Sequence, residues 1–372
     1  MKLPLLGRIG AVALVGTLAL TLSACGSDNA VDSDSSAGTG SSEAPASTLS
    51  GSLNGGGSSA QEKAQQAWVA GFQTANPSVT VNYTTSDSGA GRKGFLDASL
   101  DFAGSDSALN DEELASSTER CYGGAGIDVP VYVSPIAVAF NIDGVTELDL
   151  SADVVAKIFS GAITTWDDAA ITALNPDAKL SGPIVVVHRS DDSGTSKNFQ
   201  DYLSKTAPDV WTYEVSNTWP VQVGQGANGT SGVVQTIQAA PGTIGYADAS
   251  AVGSLGKVSL GVGTEFNAPT AEGAAATVDA SPRDDARAEG DVVIKVDRTT
   301  TAAGAYPAIL VSYLVVCNTY DTQDKVDLIK GYASYVASAE GQEKAAGAAG
   351  SAPISETLRT DVLASIDAIA VK

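Results

Sequence analysis

The stretch HRSDDSGTS, His188 to Ser196, decides how the rest of this chain is read. It follows the apolar run Ile184–Val187, a buried strand coming to its end. It precedes Ser196–Leu203, where Phe199, Tyr202 and Leu203 recur at helical spacing. Arg189 to Thr195 therefore form a turn between a strand end and a helix start. Ser193 or Thr195 can cap that helix, and Gly194 lets a ligand approach the backbone. Unpaired N–H groups at a helix start, two hydroxyls and one guanidinium together suit an anion. The alternative is an ordinary strand–turn–helix with a capping serine and a surface arginine, and this stretch alone does not separate the two.

With 372 residues the chain has room for two domains, and 43% hydrophobic against 17% charged residues means that most of it folds. Its 43 acidic and 21 basic residues give a formal net charge of −22. Such a chain does not attract nucleic acid or an anionic membrane surface through its overall field, nor a small anion from a distance. An anion site here must work at short range, through local donors.

The N-terminus sets the compartment. Lys2 and Arg8 precede the apolar run Ile9–Leu22, a secretory signal too short and too poorly flanked for a transmembrane helix. It ends in Leu22-Ser23-Ala24-Cys25, which resembles the bacterial lipobox, where the cysteine becomes the lipidated first residue of the mature protein. Residues 1–24 are thus expected to be a lipoprotein signal peptide. Cys25 is expected to carry the lipid, palmitate included, that anchors the chain on the outer face of the cell membrane. Residues 25–50, mostly Ser, Gly, Ala and Asp, read as a flexible tether spanning roughly 25–30 Å. Cys121 and Cys317 remain. Outside the cytoplasm such a pair oxidises, so a Cys121–Cys317 disulfide is expected, with two buried free thiols as the alternative. Metal-type cysteine spacing is absent and the chain has one His, so neither a metal nor a cofactor is expected.

Folded sequence begins near Leu53. Asn54 to Ser59 reads as a glycine-rich turn before a helix over Gln61–Phe72, with Ser59 and Glu62 matching a capping box. Val79–Thr84 reads as a strand, and Ser88 to Gly94 as a further glycine-rich turn with Ser88 at its lip. Gly89 to Gly94 fits G-x-G-x-x-G, but a lone match in an exported chain does not make a dinucleotide site. Leu100–Asp106 reads as a short strand running out into Asp106, an N-cap or turn acid unless a ligand employs it. Asp128–Asn141 is a nearly continuous apolar strand. Gly224 to Gly232 is glycine-rich but lacks the P-loop pattern. Ala268–Gly290 reads as a helix with exposed faces, Tyr306–Cys317 as a returning strand, and Asp324–Val336 and Leu358–Ile369 as closing helices. Strands alternating with helices define an α/β chain with largely parallel sheets, whose ligands sit at strand carboxyl ends.

Five motifs in this order resemble the phosphate-binding protein of the bacterial phosphate ABC importer, the PstS family. They are GGGSSA at Gly55–Ala60, the serine turn at Ser88, DFAGSD at Asp101–Asp106, SGAITTWDD at Ser160–Asp168, and HRSDDSGTS. The resemblance covers residues 51–372 and implies a two-lobe periplasmic-binding-protein fold of type II. Each lobe is then a mainly parallel sheet flanked by helices, with the ligand in the interlobe cleft. Residues 51–133 and 307–372 would form lobe I and 134–306 lobe II. Carried over motif by motif, the phosphate contacts fall on Ser59, Ala60, Ser88, Asp106, Arg189, Ser193, Gly194 and Thr195, with Asp191 orienting the arginine. Ala60 replaces a larger residue of the family, and Asp87 beside Ser88 alters that turn. The implied partners are inorganic phosphate, the permease subunits of the importer and, through them, its ATPase, with the protein acting as a monomer.

Phosphate near neutral pH still carries a proton, and sulfate does not. A buried Asp106 can accept a hydrogen bond from a P–OH group, whereas sulfate offers it only lone pairs and charge. Such a site discriminates by about 10⁴–10⁵. Binders of other oxyanions such as sulfate or molybdate are the nearest alternative, and a fully deprotonated ligand gains nothing from Asp106. A serine hydrolase or phosphatase would use Ser193 or Ser59 with His188 as base, but no G-x-S-x-G elbow is present and the metal ligands of a phosphatase are missing. No catalytic residue is therefore assigned.

Overall fold

The computed structural model describes residues 48–372. Cys25, the signal peptide and almost all of the expected tether lie outside the described residues. Leu49, inside the tether's expected range, packs against the core.

In chain order the elements begin with β1 (Gly51–Ser58), α1 (Glu62–Ala75), β2 (Val79–Ser86), α2 (Ser88–Leu96), β3 (Phe102–Ser105) and α3 (Asp111–Arg120). The long β4 (Gly126–Asn141) follows, then β5 (Glu147–Leu150), α4 (Ala152–Phe159), α5 (Ala169–Thr172), β6 (Val185–Arg189) and α6 (Gly194–Thr206). Next come β7 (Gln225–Ala227), α7 (Gly229–Ala239), β8 (Thr243–Asp248), β9 (Gly256–Val262), β10 (Glu265–Asn267) and α8 (Ala271–Asp279). The chain closes with β11 (Ile309–Cys317), β12 (Thr319–Tyr320), α9 (Gln323–Ala337), α10 (Ala339–Ala349), α11 (Glu356–Asp367) and β13 (Ala370–Val371).

Eleven strands join in one sheet whose main path runs β2-β1-β3-β11-β4-β8-β6-β7. The outer pairs are parallel, whereas β4 and β11 run antiparallel to their neighbours. The first part of β4 pairs with β11 and the last six residues pair with β8, so one strand serves both ends of the sheet. All but its last residue are buried, which is why it reads as an unbroken apolar run. Trp68 of α1 packs edge-on to Tyr132 of β4 and donates its indole N–H to the Gly341 carbonyl of α10 at 2.8 Å.

Four local expectations change. Asn54 to Ser58 is strand, not turn, and Ser88 to Gly94 lies inside α2. The glycines there serve close packing. A Cβ on Gly91 would fall 2.7 Å from the Gly57 Cα, and one on Gly57 (φ +128°) would fall 2.2 Å from the Gly104 carbonyl oxygen. The capping box at Ser59 and Glu62 does not form. The N-cap of α1 is Gln61, with no side-chain cap bond, while Ser59 turns to Thr230. A capping box does form at Asn110 and Glu113, opening α3. The helix expected over Ala268–Gly290 is confined to α8, and residues 280–308 run without a helix or strand.

Cys121, just after α3, and Cys317, at the end of β11, are fully buried and form a disulfide with Cα atoms 5.2 Å apart. The bridge closes a sequence separation of 196 residues and so removes much freedom from the unfolded chain. Replacing both cysteines by alanine is expected to lower the unfolding free energy by about 2–5 kcal/mol in urea denaturation. An unchanged transition would show that the packed core alone holds these ends together.

Candidate functional site

Asp106 follows β3 directly and is 3% exposed. Its Oδ1 accepts the Ser58 and Ser312 hydroxyls, each at 2.6 Å, and its Oδ2 accepts the Thr195 hydroxyl at 2.9 Å. Its N–H donates to Ser88 Oγ at 3.1 Å, and its carbonyl accepts the Asn198 side-chain amide at 2.6 Å. Among the described residues no cation bonds to the carboxylate and three hydroxyls do. They come from the end of β1, the middle of β11 and the start of α6, so the acid gathers elements far apart in sequence. The loop behind it is anchored too, with the Leu109 N–H on the Asp128 carboxylate and the Leu109 carbonyl accepting from Arg287.

β6 ends on Arg189 and α6 begins at Gly194, so the turn lies where the sequence puts it. Ser193 is the N-cap, its hydroxyl accepting the Ser196 N–H at 3.1 Å. The N–H groups of Gly194 and Thr195, in the first turn of α6, have no partner within the helix. Gly194 presses on the Asp106 side: a Cβ there would fall 2.7 Å from the Asp106 Cβ and 2.8 Å from Ser88 Oγ.

Arg189 is 4% exposed. Its Nε donates to Asp191 Oδ1 at 2.7 Å and its Nη2 to Asp191 Oδ2, a two-point grip that fixes the guanidinium plane. The Arg189 N–H donates to the Tyr246 hydroxyl. The Gly229 N–H donates to Asp191 Oδ1 at 3.3 Å. One residue further on, the Thr230 N–H donates to Ser59 Oγ at 3.1 Å, and the two hydroxyls share a hydrogen bond at 2.9 Å. The Ala60 N–H points back to Ser58 Oγ at 3.1 Å.

Seven of the nine anticipated residues thus fall into two hydrogen-bonded groups, Gly194 joining through the Asn198 amide, while Ser193 caps α6 and Ala60 bonds Ser58 Oγ. Asp106, Ser88, Gly194 and Thr195 form one, and Arg189, Asp191 and Ser59 form the other through Gly229 and Thr230. The Ser58–Ser59 peptide and the 189–195 turn connect them. Ser58, Ser312, Gly229, Thr230 and Asn198 were not singled out from sequence. Ser312 carried a signal, a hydroxyl in the middle of an apolar strand, where a buried polar group needs a reason. His188 is packed: its ring stacks on Trp219 with centroids 5.6 Å apart, and its Nδ1 bonds the Arg189 carbonyl. Its hydrogen bond goes to neither Ser59 nor Ser193, so it is not placed as a base for either.

Burial by itself would raise the Asp191 carboxyl, but the hydrogen bonds and charge of Arg189, with the Gly229 N–H, outweigh it and hold the group below the usual carboxylate range. Asp248, fully buried at the end of β8, is pushed up to about 6 by burial, although Ser250 opposes the shift. Among the described residues no group of three or more His, Cys, Asp and Glu could hold a metal ion. Among them no helix is long and apolar enough to cross a membrane.

A family model of the PBP superfamily domain matches residues 42–340. The chain is 34% identical over 377 residues to "Phosphate-binding protein PstS3" of Mycobacterium bovis (strain BCG / Pasteur 1173P2), covering 98% of this chain and 100% of that one. It is 34% identical over 379 residues to "Phosphate-binding protein PstS 3" of Mycobacterium leprae (strain TN), covering 100% of both. Among solved structures, a high-affinity periplasmic phosphate-binding protein (PfluDING), bound with phosphate, superposes with a TM-score of 0.71 at 25% identity, over 84% of this chain and 93% of that one. The phosphate-binding protein from Stenotrophomonas maltophilia, at 21% identity and a TM-score of 0.66, shares the fold. The chain belongs to the PBP superfamily and, within it, to the PstS family of substrate-binding proteins. It has the periplasmic-binding-protein α/β fold and is a binding protein, not an enzyme.

The raised Asp248 has a consequence for stability. The folded protein holds this proton more tightly than the unfolded chain, where an Asp titrates near about 3.9. Its contribution is therefore fully present below that value and is lost as pH rises towards about 6. Asp191 has the opposite sign, since its contribution is lost as pH falls. The Asp248→Asn variant should gain stability relative to the parent as pH is raised from about 4 to 7. Denaturation curves at several pH values test this, and a difference that does not change with pH would contradict it.

Proposed function

We propose that this chain captures inorganic phosphate outside the cytoplasmic membrane and delivers it to the permease of an ABC-type importer. Cys25 would carry the lipid anchor, with residues 25–50 as tether. Residues 51–133 with 307–372, and residues 134–306, would be two lobes that close on the anion, with β4 and the segment leading into β11 crossing between them. Closure follows if contacts from both lobes are complete only in the closed form.

The observation that carries this reading is the hydrogen-bond count on Asp106. A carboxylate has about four acceptor positions. Oδ1 is occupied by Ser58 and Ser312, and Oδ2 by Thr195 alone. One position on Oδ2 is left, and a P–OH group can fill it. Sulfate, with no proton to donate, would set its charge against a buried carboxylate. Arg189 supplies the positive charge, and its remaining N–H groups are free to face the anion once Asp191 has fixed the plane. In this reading the hydroxyls of Ser59, Ser88 and Ser193 and the backbone N–H groups of Ala60, Gly194 and Thr195 complete the donor shell. Local bonds to Ser58 Oγ, Thr230 and Ser196 then exchange for bonds to the ligand.

Equilibrium dialysis with the two anions is the test. The purified protein is expected to retain phosphate tightly and sulfate more weakly by about 10⁴-fold or more. Equal retention would defeat the reading in favour of a general oxyanion binder. The Arg189→Ala variant should lose at least about 100-fold in phosphate affinity, because a buried charge-assisted pair is removed. His188→Ala should retain phosphate normally.

A further inference from the structure

Asp192, the second acid of the Asp191-Asp192 pair, faces away from Arg189 towards α2. Its backbone carbonyl accepts the Gly89 N–H at 3.2 Å. Its carboxylate accepts the Asn217 amide at 2.6 Å and lies 3.7 Å from Nη2 of Arg92. Arg92 is itself 5% exposed and held on both other sides, its Nε by Glu113 and its Nη1 by Ser105 Oγ. Ser105 directly precedes Asp106. Asn217 in turn accepts the Ser193 N–H on its carbonyl and stands 3.4 Å from the Ser107 hydroxyl. Lys197, half-buried on α6, is within electrostatic reach of both Asp192 and Arg92.

The contact is fitted as well as charged. A Cβ on Gly89 would lie 2.3 Å from the Asp192 Cγ and 2.7 Å from its Cβ, so only glycine admits this approach. The partners come from opposite sides of the β4 crossover: α2 and β3 before it, the 189–195 turn after it. None of these groups is among the anion contacts proposed above.

We infer that Asp192 and Arg92, seated against Gly89, form a charge clasp that holds the turn carrying Arg189, Ser193 and Thr195 against the helix carrying Ser88. Its role is positioning: it slows release of the bound anion without touching it. This rests on the phosphate reading and on closure of the two lobes. Asp192 is half exposed, so salt screens the pair, and its effect is that of a partly exposed ion pair.

The test loads the purified protein with radiolabelled phosphate and follows its release into excess unlabelled phosphate, at about 0.05 M and about 0.5 M potassium chloride. In the parent, release should quicken at the higher salt. Asp192→Asn keeps an acceptor for Asn217 but removes the charge. It should release phosphate about two- to fivefold faster at low salt and lose the salt response. Gly89→Ala should also release faster. Its ligand-free thermal midpoint should not fall, because alanine suits a helix better than glycine. Release by both variants at the parental rate, with the parental salt response, would overturn the clasp while leaving the phosphate reading standing. A parent protein that retains no phosphate at all would defeat both.

Discussion

A carboxyl group with almost no contact with water, that of Asp106, is the constraint around which this molecule is arranged. A buried charge without partners costs many kcal/mol, and the fold offers Asp106 no basic side chain in hydrogen-bonding contact. It supplies hydroxyls instead, from Ser58, Thr195 and Ser312. Those residues belong to β1, α6 and β11, which are distant in sequence. Satisfying one acid therefore requires the strand order to be correct, β11 to return beside β3, and α6 to point its N-terminus at the end of β3. Glycine at 57, 91 and 194 lets these backbones approach closely enough.

This arrangement also reconciles an acidic protein with an anionic guest. A formal charge of −22 gives no long-range attraction for phosphate. Attraction has to come from oriented dipoles that act over a few ångströms: hydroxyls, peptide N–H groups at the start of α6, and one guanidinium kept flat by Asp191. In the proposed reading the same short range would give selectivity. Dipoles fixed in a dry site cannot rearrange around a wrong ligand, so an oxyanion lacking one proton leaves an acceptor without a donor.

Much of this was legible in the sequence, and the parts that were not have common causes. β4, β11, α6 and α9 were readable because long apolar runs and helical spacing are burial signals. The candidate site residues Ser59, Ser88, Asp106, Arg189 and Thr195 stand out through motif order, and the structure draws each into one of two hydrogen-bonded groups. The glycine-rich stretches at Asn54 and Ser88 read as turns in the sequence, and are not, because glycine marks turns more often than close packing. Ser59 looked like a capping residue because its local spacing to Glu62 was right; Thr230, 171 residues away, took its hydroxyl. Ser58 and Ser312 escaped notice for the same reason, since their partner on Asp106 is set by tertiary structure alone.

The central claim is that Asp106 senses a proton on the guest. A high-resolution crystal structure of the protein with phosphate near neutral pH tests it most directly. The account predicts a phosphate oxygen about 2.5–2.7 Å from Asp106 Oδ2, the length of an O–H···O⁻ bond, with Oδ1 still held by Ser58 and Ser312. Phosphate bound elsewhere in the cleft, with Asp106 bonded only to protein hydroxyls, would contradict it.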